Sequence, residues 1–215
     1  MLKLIILDFD GVIVESADIK TKAFRKLFND YPEHVDAIVE YHKKNAGVSR
    51  YEKFEHIYKN ILRQPLDKEK MAELGRRFSA LVVDEIKACP LVPGALEFLK
   101  KYSKIVKLFI ASSTPEEELR SLVKARDLQG YFRGIYGAPS KKSGIAFRVM
   151  KEEGAKGKEV LFVGDSAADL AEATKAGARF IGRVANLADC PFPKGVKTIR
   201  DLNELGATVE ELLRR

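Results

Sequence analysis

Only two cysteines occur in the 215 residues. Cys89 and Cys190 fit no metal-ligand spacing, and so sparse a pair argues against a disulfide scaffold and for a reducing compartment. Long hydrophobic runs are also missing. The N-terminal run is broken by Asp8 and Asp10 before it reaches the length of a secretory core. The stretch "IVKLFIAS" falls far short of the roughly 18 apolar residues that a membrane span needs. A cytoplasmic chain with no membrane partner is expected. There is no block of one charge either. The formal charge is +7, yet Lys and Arg are scattered among Glu and Asp, as in "KEEGAKGKE". Solvated helix faces account for that pattern, which predicts no nucleic-acid partner. The surplus still favours small anionic ligands by steering. No segment is of low complexity and no internal repeat is apparent, so global disorder is not expected.

Apolar residues make up 46% of the chain, enough for one large or two small domains with a buried core. "LKLIILDFDG" is a continuous apolar run ending in a turn signal, the pattern of a strand buried on both faces. From residue 16 to residue 88 the apolar spacing is helical throughout, in segments such as "ADIKTKAFRKLFNDY" and "DKEKMAELGRRFSALVVDEI". Beyond residue 89 strands alternate with helices. "IVKLFIAS", "FRGIYGAP", "EVLFVGDS", "ARFIGRV" and a weaker "KTIR" read as strands. The helix "PEEELRSLVKARDL" is predicted to open with Thr114 as N-cap and Pro115 at its first position. The fold class predicted is α/β, a Rossmann-like doubly wound parallel sheet built from residues 1–15 and 89–215, with a helical domain, residues 16–88, inserted after the first strand.

Ligands of such sheets sit beyond the carboxyl ends of the strands. Three predicted strands end there in polar residues: Asp8 and Asp10, Ser112 and Ser113, and Asp165. Side chains two apart on an extended segment point the same way, so Asp8 and Asp10 face one pocket while Phe9 packs opposite. Two adjacent carboxylates repel unless a cation or a shared proton compensates. Asp165, with Asp169 one helical turn later, extends them into a cluster of hard oxygen donors. Without His or Cys nearby, that cluster favours Mg²⁺ over zinc.

"DFDGVIVES" resembles the first motif of the haloacid dehalogenase superfamily, the Asp-nucleophile phosphohydrolases. "LFIASST", "GAPSKK" and "VLFVGDSAADLAEATKAGA" resemble its second, third and fourth motifs, in the family's order. The helical insertion matches the family's cap. The resemblance implies Asp8 as the nucleophile and Asp10 as the general acid and base. It implies Mg²⁺ held by Asp8, the Asp10 backbone carbonyl and Asp165, with Asp169 nearby. Ser112 would donate to a phosphoryl oxygen, with Ser113 beside it. For the motif lysine, aligning Phe147 with the family's aromatic position favours Lys141 over Lys142. Retention of Asp10 points to phosphate esters, because dehalogenating relatives lack a carboxylate there.

In the insertion, "GVSR" followed by Tyr51 and Lys53 resembles the cap loop of the β-phosphoglucomutase-like subgroup. Arg50 and Lys53 are therefore candidates to bind substrate. A simple helix start with Ser49 as N-cap is an equal reading. Lys20 stands where the mutases have a histidine, so a phosphatase of a small phosphorylated metabolite leads and a sugar-phosphate mutase is the alternative. A non-catalytic phospholigand-binding module is a third reading. His34, His42 and His56 are read as surface or interface residues.

Overall fold

In the computed structural model, which describes residues 1–214, six strands form one parallel sheet. They are β1 (Leu4–Leu7), β2 (Lys107–Pro115), β3 (Gly134–Ala138), β4 (Val160–Gly164), β5 (Arg179–Arg183) and β6 (Thr198–Ile199), in the spatial order β3-β2-β1-β4-β5-β6. Helices α1 (Ala17–Leu27), α2 (Val35–Lys44), α3 (Arg50–His56) and α4 (Lys68–Ala88) lie between β1 and β2. Helices α5 (Ala95–Tyr102), α6 (Glu116–Ala125), α7 (Lys142–Glu152), α8 (Ala167–Lys175) and α9 (Leu202–Arg214) join or follow the later strands.

The unbroken apolar runs follow from burial on both sheet faces. Leu4 and Ile6 pack with Phe162 and with Ile145, Ala146 and Val149 of α7. Ile5, Leu7 and Phe9 join the opposite cluster, which holds Phe98 and Leu99 of α5 and Leu119 of α6. The period of two is therefore kept from Leu4 to Phe9. The chain runs outward from β1 through β2 to β3, then returns to β1's other flank as β4. That reversal puts the switch point between β1 and β4, where Leu7 pairs with Val163.

The chain leaves for the inserted helices and comes back along one line. Val14 and Leu91 form an antiparallel bridge. The Val92 N–H donates to the Ile13 carbonyl at 3.0 Å, and the Glu15 N–H to the Pro90 carbonyl at 3.0 Å. Helices α1 to α4 gather around Phe24, Phe28, Phe54 and Phe78, all fully buried, with the Phe24 and Phe78 rings 4.9 Å apart. Helix α4 also packs against α6 of the sheet-bearing part.

One local expectation is corrected. Strand β2 continues through Pro115, which pairs with Ala138, and α6 starts at Glu116 with no side-chain cap. A residue before proline prefers extended backbone, so Thr114 stays on the strand. Its hydroxyl bonds Asp10 instead of capping a helix.

Candidate active site

Asp8 follows β1 directly, and its N–H donates to the Val163 carbonyl at 2.9 Å, continuing the sheet ladder. Asp165 follows β4, the adjacent strand. Gly11 turns the chain with φ of +73°, and a Cβ there would lie 1.9 Å from Asp165 Oδ2. Only glycine lets the first loop approach Asp165 this closely. Asp169 lies in the first turn of α8, where it and Ser166 form a reciprocal capping box. Its Oδ2 accepts from the Ser166 N–H at 3.1 Å and from the Ser166 hydroxyl at 2.5 Å. The buried Lys142 ammonium donates to Asp8 Oδ2 at 2.6 Å and also to Asp169 Oδ1.

Asp8, Asp165 and Asp169 each offer an oxygen within 4.8 Å of the others. Burial pushes the Asp8 carboxyl up to about 7; Lys142 opposes the shift, while Asp169 and Asp10 add to it. Burial, then the neighbouring Asp8 and Asp169 charges, pushes Asp165 up as well. Among the described residues, the Asp165 carboxylate has no hydrogen bond or ion pair. Hard oxygen donors, one of them unpartnered and two resisting ionisation, fit a divalent cation such as Mg²⁺.

The Asp10 carboxylate lies outside that oxygen cluster. It accepts from Lys20 Nζ at 2.5 Å, Ser16 Oγ at 2.7 Å, Thr114 Oγ1 at 3.0 Å and, at the edge of bonding range, Ser112 Oγ at 3.5 Å. Burial alone would raise this carboxyl, but Lys20, Ser16 and Thr114 together hold it below its ordinary value. Ser112 also accepts from the Thr114 N–H at 3.1 Å, and Ser113 lines the cleft. Arg183 braces the loop from behind, forked onto Glu15 at 2.9 and 2.6 Å and donating to the Gly11 carbonyl at 3.2 Å.

Of the two candidate lysines, the structure brings Lys142 to the carboxylates and leaves Lys141 exposed at the N-cap of α7. The expectation for Lys141 is corrected. Lys142 shares the buried face of α7 with Ile145, Ala146 and Val149, at helical spacing. Phe147, which favoured Lys141 by alignment, is 49% exposed on the other side.

From the inserted helices, Gly47 enters the site with φ of +80°; a Cβ there would lie 2.2 Å from Ser166 Oγ. Ser49 caps α3, accepting from the Tyr51 N–H at 3.4 Å. Arg50 is buried and lines the cleft, but its fork is engaged. It donates to Glu118 of α6 at 3.0 and 2.6 Å and to Ser79 at 2.8 Å, over the Phe78 ring. Lys53 Nζ lies 3.1 Å from His42 Nδ1 and 5.5 Å from the Phe24 ring centroid. His42 is accordingly no surface residue. It is buried and stacked 4.2 Å from Phe24. His34 and His56 are partly exposed, His56 stacking on Tyr41. Burial, then Lys20, presses the Lys53 ammonium down to about 7; burial, then Lys53, presses His42 down to about 3. The cleft enclosed by these groups and the aspartates holds about 730 Å³, a small-molecule volume.

An α/β sheet with an acidic cluster at its switch point and a helical insertion over it defines a class of hydrolases. The model of the haloacid dehalogenase-like hydrolase family matches residues 5–183, and the chain belongs to that family. Among curated relatives, a phosphorylated carbohydrates phosphatase of Thermotoga maritima is 28% identical over 195 residues, 86% of this chain and 87% of that one. A phosphoglycolate phosphatase of Pseudomonas syringae is 38% identical over 91 residues, 40% of this chain and 34% of that one. The fold is shared with β-phosphoglucomutase of Clostridium difficile at a TM-score of 0.79 and 19% identity, covering 100% of this chain and 98% of that one. The protein is thus an enzyme of a hydrolase family, and the curated relatives it matches are phosphatases.

Proposed function

We propose that the protein is a Mg²⁺-dependent phosphatase that hydrolyses a small anionic phosphomonoester through an aspartyl-phosphate on Asp8. The observation that carries this reading is the meeting of Asp8, Asp165 and Asp169 at the ends of neighbouring elements, with Lys142 on Asp8 and a separate carboxylate, Asp10, facing the same cleft. Asp8, Asp165 and the Asp10 backbone carbonyl would hold Mg²⁺, with Asp169 behind them. When bound, the ion offsets the repulsion between carboxylate and phosphate that otherwise prevents attack.

The residues divide the work. Asp8 Oδ attacks phosphorus as the ester P–O bond breaks, and Asp10, which enters this step protonated once its contact with Lys20 is released, delivers that proton to the departing oxygen. Asp10 then takes a proton from the water that attacks the aspartyl-phosphate, releasing inorganic phosphate and restoring Asp8. Lys142 orients Asp8 and offsets charge on the phosphoryl oxygens, while Ser112 and Ser113 are donors to them. Residues 1–15 and 89–215 act as the catalytic domain and residues 16–88 as its cap. The names of the relatives support a phosphorylated carbohydrate or phosphorylated acid as substrate. Two free cysteines support a cytoplasmic setting.

The test is hydrolysis of p-nitrophenyl phosphate by purified protein, with Mg²⁺, after chelation, and in Asp8→Asn. Turnover is expected only for the unmodified chain with metal. Absence of turnover, or an Asp8→Asn rate equal to wild type, defeats the reading. Dependence on a bisphosphate primer with return of an isomer would replace it by a mutase.

A further inference from the structure

Among the described residues, four Lys and Arg side chains are buried: Arg50, Lys53, Lys142 and Arg183. Three are matched to carboxylates, Arg50 to Glu118 at 2.6 Å, Lys142 to Asp8 at 2.6 Å and Arg183 to Glu15 at 2.6 Å. Lys53 has none. Its hydrogen-bond partner is the imidazole of His42, itself held uncharged by burial and by Lys53. A buried cation without an anion is expensive, and evolution tolerates it where an anion arrives from outside. Lys53 lines the same cleft as Asp8, Asp10 and Lys20, so the arriving anion is part of whatever occupies that cleft.

We propose that Lys53, positioned by His42, is the specificity residue that pairs with a carboxylate on the substrate, so that the ester cleaved is a phosphorylated carboxylic acid. This rests on the phosphatase reading above. A carboxylate fits better than a second phosphate on two grounds. One ammonium with one N–H committed to His42 balances a single negative charge and leaves a dianion half-compensated. The guanidinium fork suited to phosphate is on Arg50, and Glu118 already fills it, with Ser79 taking a further bond. Arg50 is thus a positioning residue that ties the inserted helices to α6. Burial and the Lys20 charge press the Lys53 ammonium down to about 7, and Asp165 and Asp10 offset this only in part, which fits a group whose anion comes with the substrate.

The experiment compares kcat/KM for matched esters with and without a carboxylate. The pairs are 2-phosphoglycolate with 2-hydroxyethyl phosphate, 3-phosphoglycerate with glycerol 3-phosphate, and 6-phosphogluconate with glucitol 6-phosphate. Wild type is expected to prefer the acid of at least one pair by about ten-fold or more, an arm that needs no variant. Lys53→Met should shrink that ratio by about ten-fold, chiefly through KM of the acid, and Lys53→Arg should recover part of it. His42→Phe, which leaves the amine but removes its anchor, should shrink the ratio less. Turnover of p-nitrophenyl phosphate without any carboxylate preference overturns the inference alone. So does an equal loss on both members of the preferred pair, or a preference for bisphosphates that Lys53→Met removes. No turnover of any ester defeats the phosphatase reading, and this inference with it.

Discussion

The sheet brings the carboxylates Asp8 and Asp165 to the cleft and the inserted helices bring the cations Lys20 and Lys53, and the two sets are held by different means. Asp8 and Asp165 ride on the ends of β1 and β4, whose register is set by backbone pairing from Leu4 to Leu7. Asp8 moves only if one central strand slides on the next. Lys20, Arg50 and Lys53 reach the cleft as long side chains from α1 and α3, and their positions depend on how Phe24, Phe54 and Phe78 pack. A group fixed by backbone pairing is placed more precisely than one at the end of a long side chain on a packed helix. The division of charge between the two regions is thereby also a division in how precisely each set is placed.

Four measurements press on this contrast, beginning with the rigid side. Asp8→Asn should lower kcat on the order of 10³-fold or more, since the other carboxylate at the β1 end, Asp10, is engaged by Lys20, Ser16 and Thr114. Lys142→Met should lower kcat by about 10²-fold, and its neighbour Lys141→Ala by less than about two-fold, in parallel assays of the two variants. If the losses were equal, the buried face of α7 would not be what selects the working lysine.

On the helical side the expected effects are on stability and binding. Glu118→Gln leaves the Arg50 fork buried against a neutral amide, and urea denaturation should register a loss of about 3 kcal/mol. Arg50→Met combined with Glu118→Gln should recover much of it, which a double-mutant cycle reads directly. The smallest effect is a pH dependence. Burial, with Lys53, Lys20 and Lys43 adding to it, holds His42 uncharged in the folded chain down to about pH 3. The unfolded chain takes up that proton from about pH 6.5. Stability should therefore fall as pH falls, by about 2 kcal/mol between pH 7 and pH 5 from this one group. His42→Phe, followed by thermal melts across the same range, should show a slope smaller by that amount.

How far the sequence alone could carry this picture depended on whether a feature has a local signature. The β1 strand and its two aspartates were legible, because an apolar run ending in Asp-Phe-Asp-Gly needs only the two-residue period of a strand to be understood. Asp165 and Asp169 were legible for the same reason, through a strand end and a helix's first turn. The choice between Lys141 and Lys142 went astray over one position: a register borrowed from Phe147 counted along the chain, whereas burial is decided by the face of α7. Thr114 looked like an N-cap, and only the approach of Asp10 across 104 positions explains its hydroxyl. Glu118 and His42 carry no local mark at all. Their importance arises from side-chain contacts with Arg50 and Lys53, made when the fold brings α6 and α2 within reach of α3.

The Val14–Leu91 bridge has a mechanical meaning. Both connections to the inserted helices pass through it side by side, four residues beyond Asp10 and anchored by Arg183 through Glu15 and Gly11. Asp10 itself bridges to Val14, so the acidic loop and the crossing are one piece of backbone. Lys20, the partner of Asp10, lies on α1 just beyond that crossing, so the Asp10–Lys20 contact of 2.5 Å joins the two sides of it. The pair Asp10 and Lys20 is in this way held by the same few residues of backbone that carry the chain into the inserted helices and out again.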